Sequence, residues 1–408
     1  MNCRFCNNTL TNEFVDLGFS PPSNAYLKAA NLNEPETYFP LRIMVCEKCF
    51  LVQIDEFAKH DDIFNADYAY FSSFSTSWLA HAKAYTQMMV KRFGFNAKSQ
   101  VIEIASNDGY LLQYFKEQGV PVLGIEPTAN TAAAAKQKGI NSVVDFFGVR
   151  LATALAAKGT KADLLLGNNV LAHVPDINDF VGGLTILLKQ DGVITFEFPH
   201  LLQLIDKNQF DTIYHEHFSY LSLIAVKQIF EHNALQIFDV EEVTTHGGSL
   251  RIFAKHQADT SKTISANVAA MLDKETQFGL NNLAIYQNYQ AKAEKVKNDF
   301  TQFLIQAKNE GKKVAGYGAA AKGNTLLNFA GTKKDLLQFV VDASPHKQNK
   351  FLPGVHIPIF DEQKIKDEKP DYIVILPWNL KEEIAEQLAY IRNWGGKFVV
   401  AVPALEFF

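Results

Sequence analysis

Tyr214-His215-Glu216-His217 is the densest run of reactive side chains in this sequence, and it follows Pro199-His200 after a strand-like segment. A neutral imidazole is the side chain best suited to take a proton near pH 7. A phenol and a carboxylate beside it can orient the ring or donate to a developing oxyanion. Two histidines could instead hold a metal, but no third ligand is recognisable nearby, so a general base is favoured. An extended backbone would put His215 and His217 on one face and Tyr214 and Glu216 on the other. The plainer alternative is a pair of histidines hydrogen-bonded ahead of a helix that begins near Ser222. Thr245-His246-Gly247-Gly248-Ser249-Leu250-Arg251 is a second candidate: its glycines admit a close ligand, and Arg251 suits an anion.

All four cysteines form two C-x2-C pairs, Cys3/Cys6 and Cys46/Cys49. Four thiolates make the closed tetrahedral shell of structural zinc, with iron as the competing metal. Redox dithiols or disulfides would need a thioredoxin-like setting or an oxidising compartment, and neither is visible. A closed shell has no open position, so such an ion holds the fold and does no chemistry.

These groups need a scaffold, and the pattern is α/β. A helical pattern runs from about Ser75 to Phe93. From Gln100 to about His256, buried-strand runs (Val101-Ile102-Glu103-Ile104, Val122 to Ile125, Leu164 to Leu166, Val193 to Phe196) alternate with helical patterns. Leu235 to Val243 and Ser249 to Lys255 leave no room for a helix between them, so they should pair antiparallel. A helix is expected from Asn282 to Glu310, capped by Gly311. A second, smaller β/α alternation begins at Lys313.

Two loops compete for a cofactor. Glu103-Ile104-Ala105-Ser106-Asn107-Asp108-Gly109 leaves the first strand and opens a helix, and its small residues let N–H groups approach a ligand. Glu126, at the end of the second strand, is placed to accept ribose hydroxyls, and Asp145 to accept an adenine amino group. The rival loop, Gly316-Tyr317-Gly318-Ala319-Ala320-Ala321-Lys322-Gly323, nearly satisfies a dinucleotide fingerprint, with Asp342 at ribose distance. An NAD(P)-dependent oxidoreductase would be built this way. Lys322 equally suits the diphosphate of a nucleotide-linked substrate, which makes Gly318, Ala319, Lys322, Asn324, Asp342, His346 and Lys347 substrate candidates.

With 408 residues, two or three domains are expected. A net charge of -5 without a basic run argues against nucleic acid. The chain begins unlike a secretory signal and has no apolar stretch near the ~20 residues that span a bilayer, so a cytoplasmic location is expected.

The C-x2-C pairs, Val101 to Gly109, Asn168-Asn169-Val170-Leu171-Ala172-His173-Val174-Pro175-Asp176, Tyr-His-Glu-His, His-Gly-Gly-Ser-Leu-Arg and Gly-Tyr-Gly-Ala-Ala-Ala-Lys-Gly occur here in one order. Together they resemble the deoxysugar C-methyltransferases, which use S-adenosylmethionine to methylate nucleotide-linked 4-keto-6-deoxysugars, and the likeness covers essentially the whole chain. It implies a zinc-binding domain (1–70), a central class I methyltransferase domain with a parallel sheet and an antiparallel terminal hairpin (71–258), and a smaller Rossmann-like sugar-nucleotide domain (259–408). The resemblance adds Pro127, Asn168, Asn169 and His173 to the cofactor contacts. It makes His217 the base with Tyr214 beside it, and implies a monomer acting on a dTDP- or other nucleotide-linked 4-keto-6-deoxyhexose, with carbon 3 favoured over carbon 5. Methylation at carbon requires an enolate beside a ketone, so Glu216 and His215 would orient the base or donate to the oxygen, and Tyr68 and Tyr70 would close over the sugar. His200 and Arg251 complete the expected substrate contacts. A noncatalytic zinc-stabilised binding protein is the remaining alternative.

Overall fold

The computed structural model describes residues 1–57 and 71–408. Tyr68 and Tyr70 lie outside the described residues.

The chain opens with one turn made twice. After each C-x2-C pair a residue of positive φ follows, Asn7 at 59° and Phe50 at 58°. Its N–H returns to the carbonyl of the first cysteine at 2.9 Å in both copies. This geometry turns two thiolates toward one point from each side. An antiparallel sheet follows, formed by Asn12–Ser20, Phe39–Val45 and Val52–Ile54. Its fourth strand, Ser219–Tyr220, comes from the segment just after His217 and pairs with Val52–Ile54. The reactive run is thereby stitched to the amino-terminal unit.

Helix Thr76–Phe93 begins where the Ser75 hydroxyl accepts the Trp78 N–H at 3.2 Å, an ordinary N-cap. It leads into a seven-stranded sheet in the order Ser142–Val143, Val122–Ile125, Val101–Ile104, Ala162–Asn168, Leu188–Pro199, Ser249–His256, Leu235–Val243. The first five strands are parallel, and Ser249–His256 runs antiparallel to both of its neighbours. Val101 to Ile104 is buried throughout, as a strand covered on both faces must be. This is the arrangement expected for a class I methyltransferase unit.

The expected helix over Asn282 to Glu310 is broken. Ala284–Gln287 and Tyr289–Asn309 flank Asn288, and Gly311 closes the second with φ 70°. Helix Ala266–Phe278, which the sequence pattern did not reveal, precedes them. The last sheet orders Ile359–Phe360, Val340–Val341, Val314–Tyr317, Tyr372–Ile375 and Lys397–Val400 in parallel, with Glu406–Phe407 antiparallel at its edge. One hydrophobic core runs through both ends of the chain, joining Phe14 and Ile43 to Phe210 and Phe218, then to Tyr289, Phe300, Leu326 and Val374. The segment carrying the reactive run is therefore held between the amino-terminal sheet and the last sheet. Among the described residues, no helix is long and apolar enough to cross a membrane.

Candidate active site

A cavity of about 390 Å³ opens at the carboxyl edge of the central sheet, where open α/β folds bind ligands. Of the expected cofactor contacts, Ala105, Asn107, Glu126, Pro127, Asp145, Asn168, Asn169 and His173 line it. Glu103, Ser106 and Gly109 do not. They belong to the loop that shapes the cavity, in which Ala105, Asn107 and Gly109 all have positive φ (54°, 49° and 74°). Glu126 holds this loop: its carboxylate accepts the Asn107 N–H at 2.8 Å and the Thr128 N–H at 2.9 Å, together with the Thr128 hydroxyl. Burial raises the pKa of Glu126, and these donors oppose the rise. Glu103 lies fully buried below, its carboxyl raised well above the usual range by burial. At the other end, Asp145 accepts the Phe146 N–H at 2.9 Å and Arg150 at 2.6 Å. Trp78 and His246, neither among the expected contacts, line the cavity beside His173.

The four cysteine sulfurs lie within 4.8 Å of one another, with Cys3–Cys49 and Cys6–Cys46 at 3.5 Å and Cys6–Cys49 at 3.7 Å. Sulfurs bound tetrahedrally to zinc at ~2.3 Å sit roughly 3.8 Å apart, so the donor set and its spacing fit zinc. The knuckle is fastened to the cavity wall. Arg4 donates to the Pro175 carbonyl at 2.7 Å and to the Ile54 carbonyl, and its guanidinium lies 5.4 Å from the centre of the Phe218 ring. Asn178 donates to the Phe5 carbonyl at 2.9 Å.

The Tyr-His-Glu-His run is a turn, which corrects the expected alternation. The His217 N–H returns to the Tyr214 carbonyl at 2.9 Å, so Tyr214 and His217 come together with ring centres 4.0 Å apart. His215 points the other way, toward the Pro40 carbonyl at 3.2 Å and the Phe39 ring. The Thr212 carbonyl accepts from His217 Nδ1 at 2.8 Å. A carbonyl only accepts, so Nδ1 carries the proton and Nε2 holds the lone pair; Nε2 is buried without a partner among the described residues. Burial, then the neighbouring His173, depress the His217 pKa well below the usual histidine range, which keeps the ring neutral. The His173 ring centre is 4.6 Å away, which places His217 directly behind the cavity wall. Glu216 turns to Asn24, whose amide donates at 2.6 Å, and burial pushes its carboxyl up to about 7.

Several expected substrate contacts are already satisfied internally. The His200 ring is fully buried against Glu275 at 2.8 Å. Glu275 also accepts the Leu223 and Ile224 N–H groups at 2.6 and 2.8 Å, capping the next helix. Arg251 is matched by Glu197 at 2.7 Å and Glu241 at 3.1 Å, over the Tyr85 ring, and so is not waiting for an anion. Burial alone would raise the Glu197 pKa, but His81 and Arg251 hold it at about 2. Gly247 is a packing glycine: a Cβ there would run into the Trp378 ring.

The dinucleotide reading of the Gly316 to Gly323 loop is corrected in the same way. Asp342, the expected ribose acceptor, accepts the Ala319 N–H at 2.8 Å and the Ser344 N–H at 2.8 Å. The Ala319 carbonyl accepts from Lys347 at 2.9 Å and Tyr26 at 2.5 Å. Gly316, Gly318 and Gly323 pack closely on Val340, Pro377 and Leu376. His346 stacks on Phe71 with ring centres 5.7 Å apart. Lys322 is held by the Asn379 side chain at 2.9 Å and lies 4.6 Å from the Trp378 ring centre, with its pKa lowered to about 8 by burial. Asn324 is buried with neither amide atom partnered. Sequence reasoning missed Asn24, Trp78, Asp211 and Trp378, and it singled out the segment around His246 for its glycines and Arg251 without giving the histidine a role; His246 there has a positive φ of 54°.

Three family models tile the chain: "Putative zinc binding domain" over residues 3–64, "Methyltransferase domain" over 78–240, and "C-methyltransferase C-terminal domain" over 244–403. C-methyltransferase NovU of Streptomyces niveus is 33% identical over 401 residues, covering 98% of this chain and 95% of that one. A ubiquinone biosynthesis O-methyltransferase of Bartonella quintana matches 96 residues at 29% identity, covering 23% of this chain and 39% of its own. Among solved structures, the PH0226 protein of Pyrococcus horikoshii matches at 13% identity over 46% of this chain and 95% of its own. Its TM-score of 0.39 is too low to bear on the fold.

Proposed function

From the premise that this chain belongs to the S-adenosylmethionine-dependent C-methyltransferase family, we propose that it methylates a ring carbon of a nucleotide-linked 4-keto-6-deoxyhexose, carbon 3 before carbon 5. The observation that carries the chemistry is the His217 ring, with its proton fixed on Nδ1 by the Thr212 carbonyl and its Nε2 buried without a partner beside the cavity wall. Such a nitrogen is ready to take a proton.

The carbon next to a ketone becomes a nucleophile only as an enolate. In this reading His217 Nε2 removes the α-proton, the C–H electron pair moves into the enolate, and negative charge gathers on the ketone oxygen. Tyr214, whose ring centre lies 4.0 Å from that of His217, donates to that oxygen, and the dry surroundings strengthen the interaction. Glu216 and Asn24 hold the run from the amino-terminal side. Glu126 and Asp145 would hold bound S-adenosylmethionine in the cavity, and that cofactor would supply an electrophilic methyl group. The Asn324 amide, buried and unpartnered among the described residues, supports placing the nucleotide-sugar against the last unit.

Purified protein given S-adenosylmethionine and a dTDP-4-keto-6-deoxyhexose should yield a product one methyl heavier by mass spectrometry. His217→Gln should lose both turnover and solvent deuterium exchange at the α-carbon. Exchange that persists in His217→Gln would remove His217 from the role of base. Cofactor binding without methyl transfer across a panel of nucleotide keto sugars would favour a noncatalytic binding protein.

A further inference from the structure

We propose that Trp378 is a positioning residue for His217, acting through Asp211 and Thr212, so that the base is set by a side chain of the carboxyl-terminal unit. The chain of contacts is short. The Trp378 indole N–H donates to Asp211 Oδ2 at 2.7 Å. Asp211 sits in the single 3-10 turn Phe210–Thr212, and the carbonyl of Thr212 receives His217 Nδ1–H at 2.8 Å. Asp211 is buried, and among the described residues its other carboxylate oxygen has no partner in hydrogen-bond geometry, so the indole is its side-chain donor, with the Lys322 charge nearby.

Trp378 is itself held on the side facing the cleft. Its ring packs against Gly247, next to the cavity-lining His246, and the Lys322 ammonium lies over it. A shift of the carboxyl-terminal unit therefore moves Trp378, then the 3-10 turn, then the carbonyl that fixes which nitrogen of His217 bears the proton. Without the indole N–H, the buried Asp211 carboxyl keeps only the nearby Lys322 charge and backbone groups of its own turn. In this proposal the turn adjusts to the lost donor, and the Thr212 carbonyl is drawn off Nδ1.

The consequence for catalysis rests on His217 being the base; the effect on its tautomer does not. The test uses the full-length protein with ¹⁵N-labelled histidine, the His217 signals being identified by their loss in His217→Gln. Trp378→Phe removes the N–H together with the distal ring atoms that meet Gly247, and Asp211→Ala removes the acceptor, while Asp211→Asn keeps an oxygen for the indole and serves as the conservative control. The first two should each lower the population of the Nδ1–H tautomer of His217 and slow α-proton exchange roughly 10- to 100-fold, as a small misplacement of a base does. S-adenosylmethionine affinity should not change. The double variant should be no slower than the slower single one, because both break the same link. An unchanged tautomer in both variants, or additive losses in the double, would overturn the proposal. Full exchange in His217→Gln would instead overturn the base assignment, and the tautomer measurement would still decide the role of Trp378.

Discussion

Asn24→Leu should move the acid limb of the pH–rate profile without touching the cofactor cavity. Among the described residues, Asn24 gives the Glu216 carboxylate its one side-chain hydrogen bond, at 2.6 Å, and burial pushes the Glu216 carboxyl up to about 7 from an ordinary value of 4.5. Hydrogen bonds to charged groups are worth about 1.5–3 kcal/mol, and one pKa unit corresponds to about 1.4 kcal/mol. Losing the bond should therefore raise the Glu216 pKa by roughly 1–2 units, because the charged form loses more than the neutral one. If turnover needs the carboxylate, kcat/KM of methyl transfer in wild-type protein falls as the pH drops through about 7. The Asn24→Leu limb should lie at roughly 8–9, and Glu216→Gln should have no such limb.

Stability supplies an independent reading of the same group. A carboxyl raised on folding stabilises the native state fully below pH 4.5, and that stabilisation is lost as the pH rises through about 7. For Glu216 the whole swing is roughly 3 kcal/mol, and Asn24→Leu should enlarge it by about 1.5–3 kcal/mol. Urea unfolding should show a deficit in the variant that is small at low pH and grows toward pH 9. A deficit independent of pH, together with an unmoved acid limb, would refute the reasoning.

Removing the metal with a chelator should weaken S-adenosylmethionine binding, because Arg4 ties the first cysteine turn to the cavity wall at Pro175 and Asn178 holds the same turn at the Phe5 carbonyl. Isothermal titration of metal-free protein that keeps its circular dichroism checks this; unchanged affinity would cut the link. Glu275→Gln should cost roughly 3–5 kcal/mol in denaturant unfolding, since it breaks a fully buried pair with His200 and weakens a helix cap, while kcat of the folded enzyme stays as it was. A kcat loss without a stability loss would return His200 to the substrate site.

Local patterns were legible wherever one short segment decides the outcome. The cysteine spacing requires a turn whose bonds close within five residues, and the two copies confirm it. Parallel strands announce themselves by unbroken apolar runs, and the Leu235 to His256 hairpin by the lack of room for a helix. The conformation of residues 214–217 was not legible, because partners far away in sequence select it. Asn24 lies 192 residues from Glu216, and Pro40 lies 175 residues from His215. Alternation assumes an extended strand, and an i to i+3 hydrogen bond replaced it. The helix carrying Glu275 escaped notice for a related reason. It is mostly exposed, with only Val268, Met271 and Glu275 buried, and so shows a weak apolar stripe.

Residue type alone could not separate working groups from structural ones, because the difference lies in what each group has left over. Arg251 has the chemistry of an anion contact, but Glu197 and Glu241 already meet its charge. A spare ring nitrogen is not sufficient either. His200 keeps an unpartnered Nδ1 just as His217 keeps an unpartnered Nε2. What distinguishes them is the rest of the environment. His200 faces a buried carboxylate across its Nε2 and is not among the residues that line the cavity. His217 faces a neutral carbonyl on one side and a cavity-lining histidine on the other. A base needs a free lone pair, a neutral resting state and a short path to the ligand space. Of these two histidines, only His217 combines all three, and only the tertiary structure could show it.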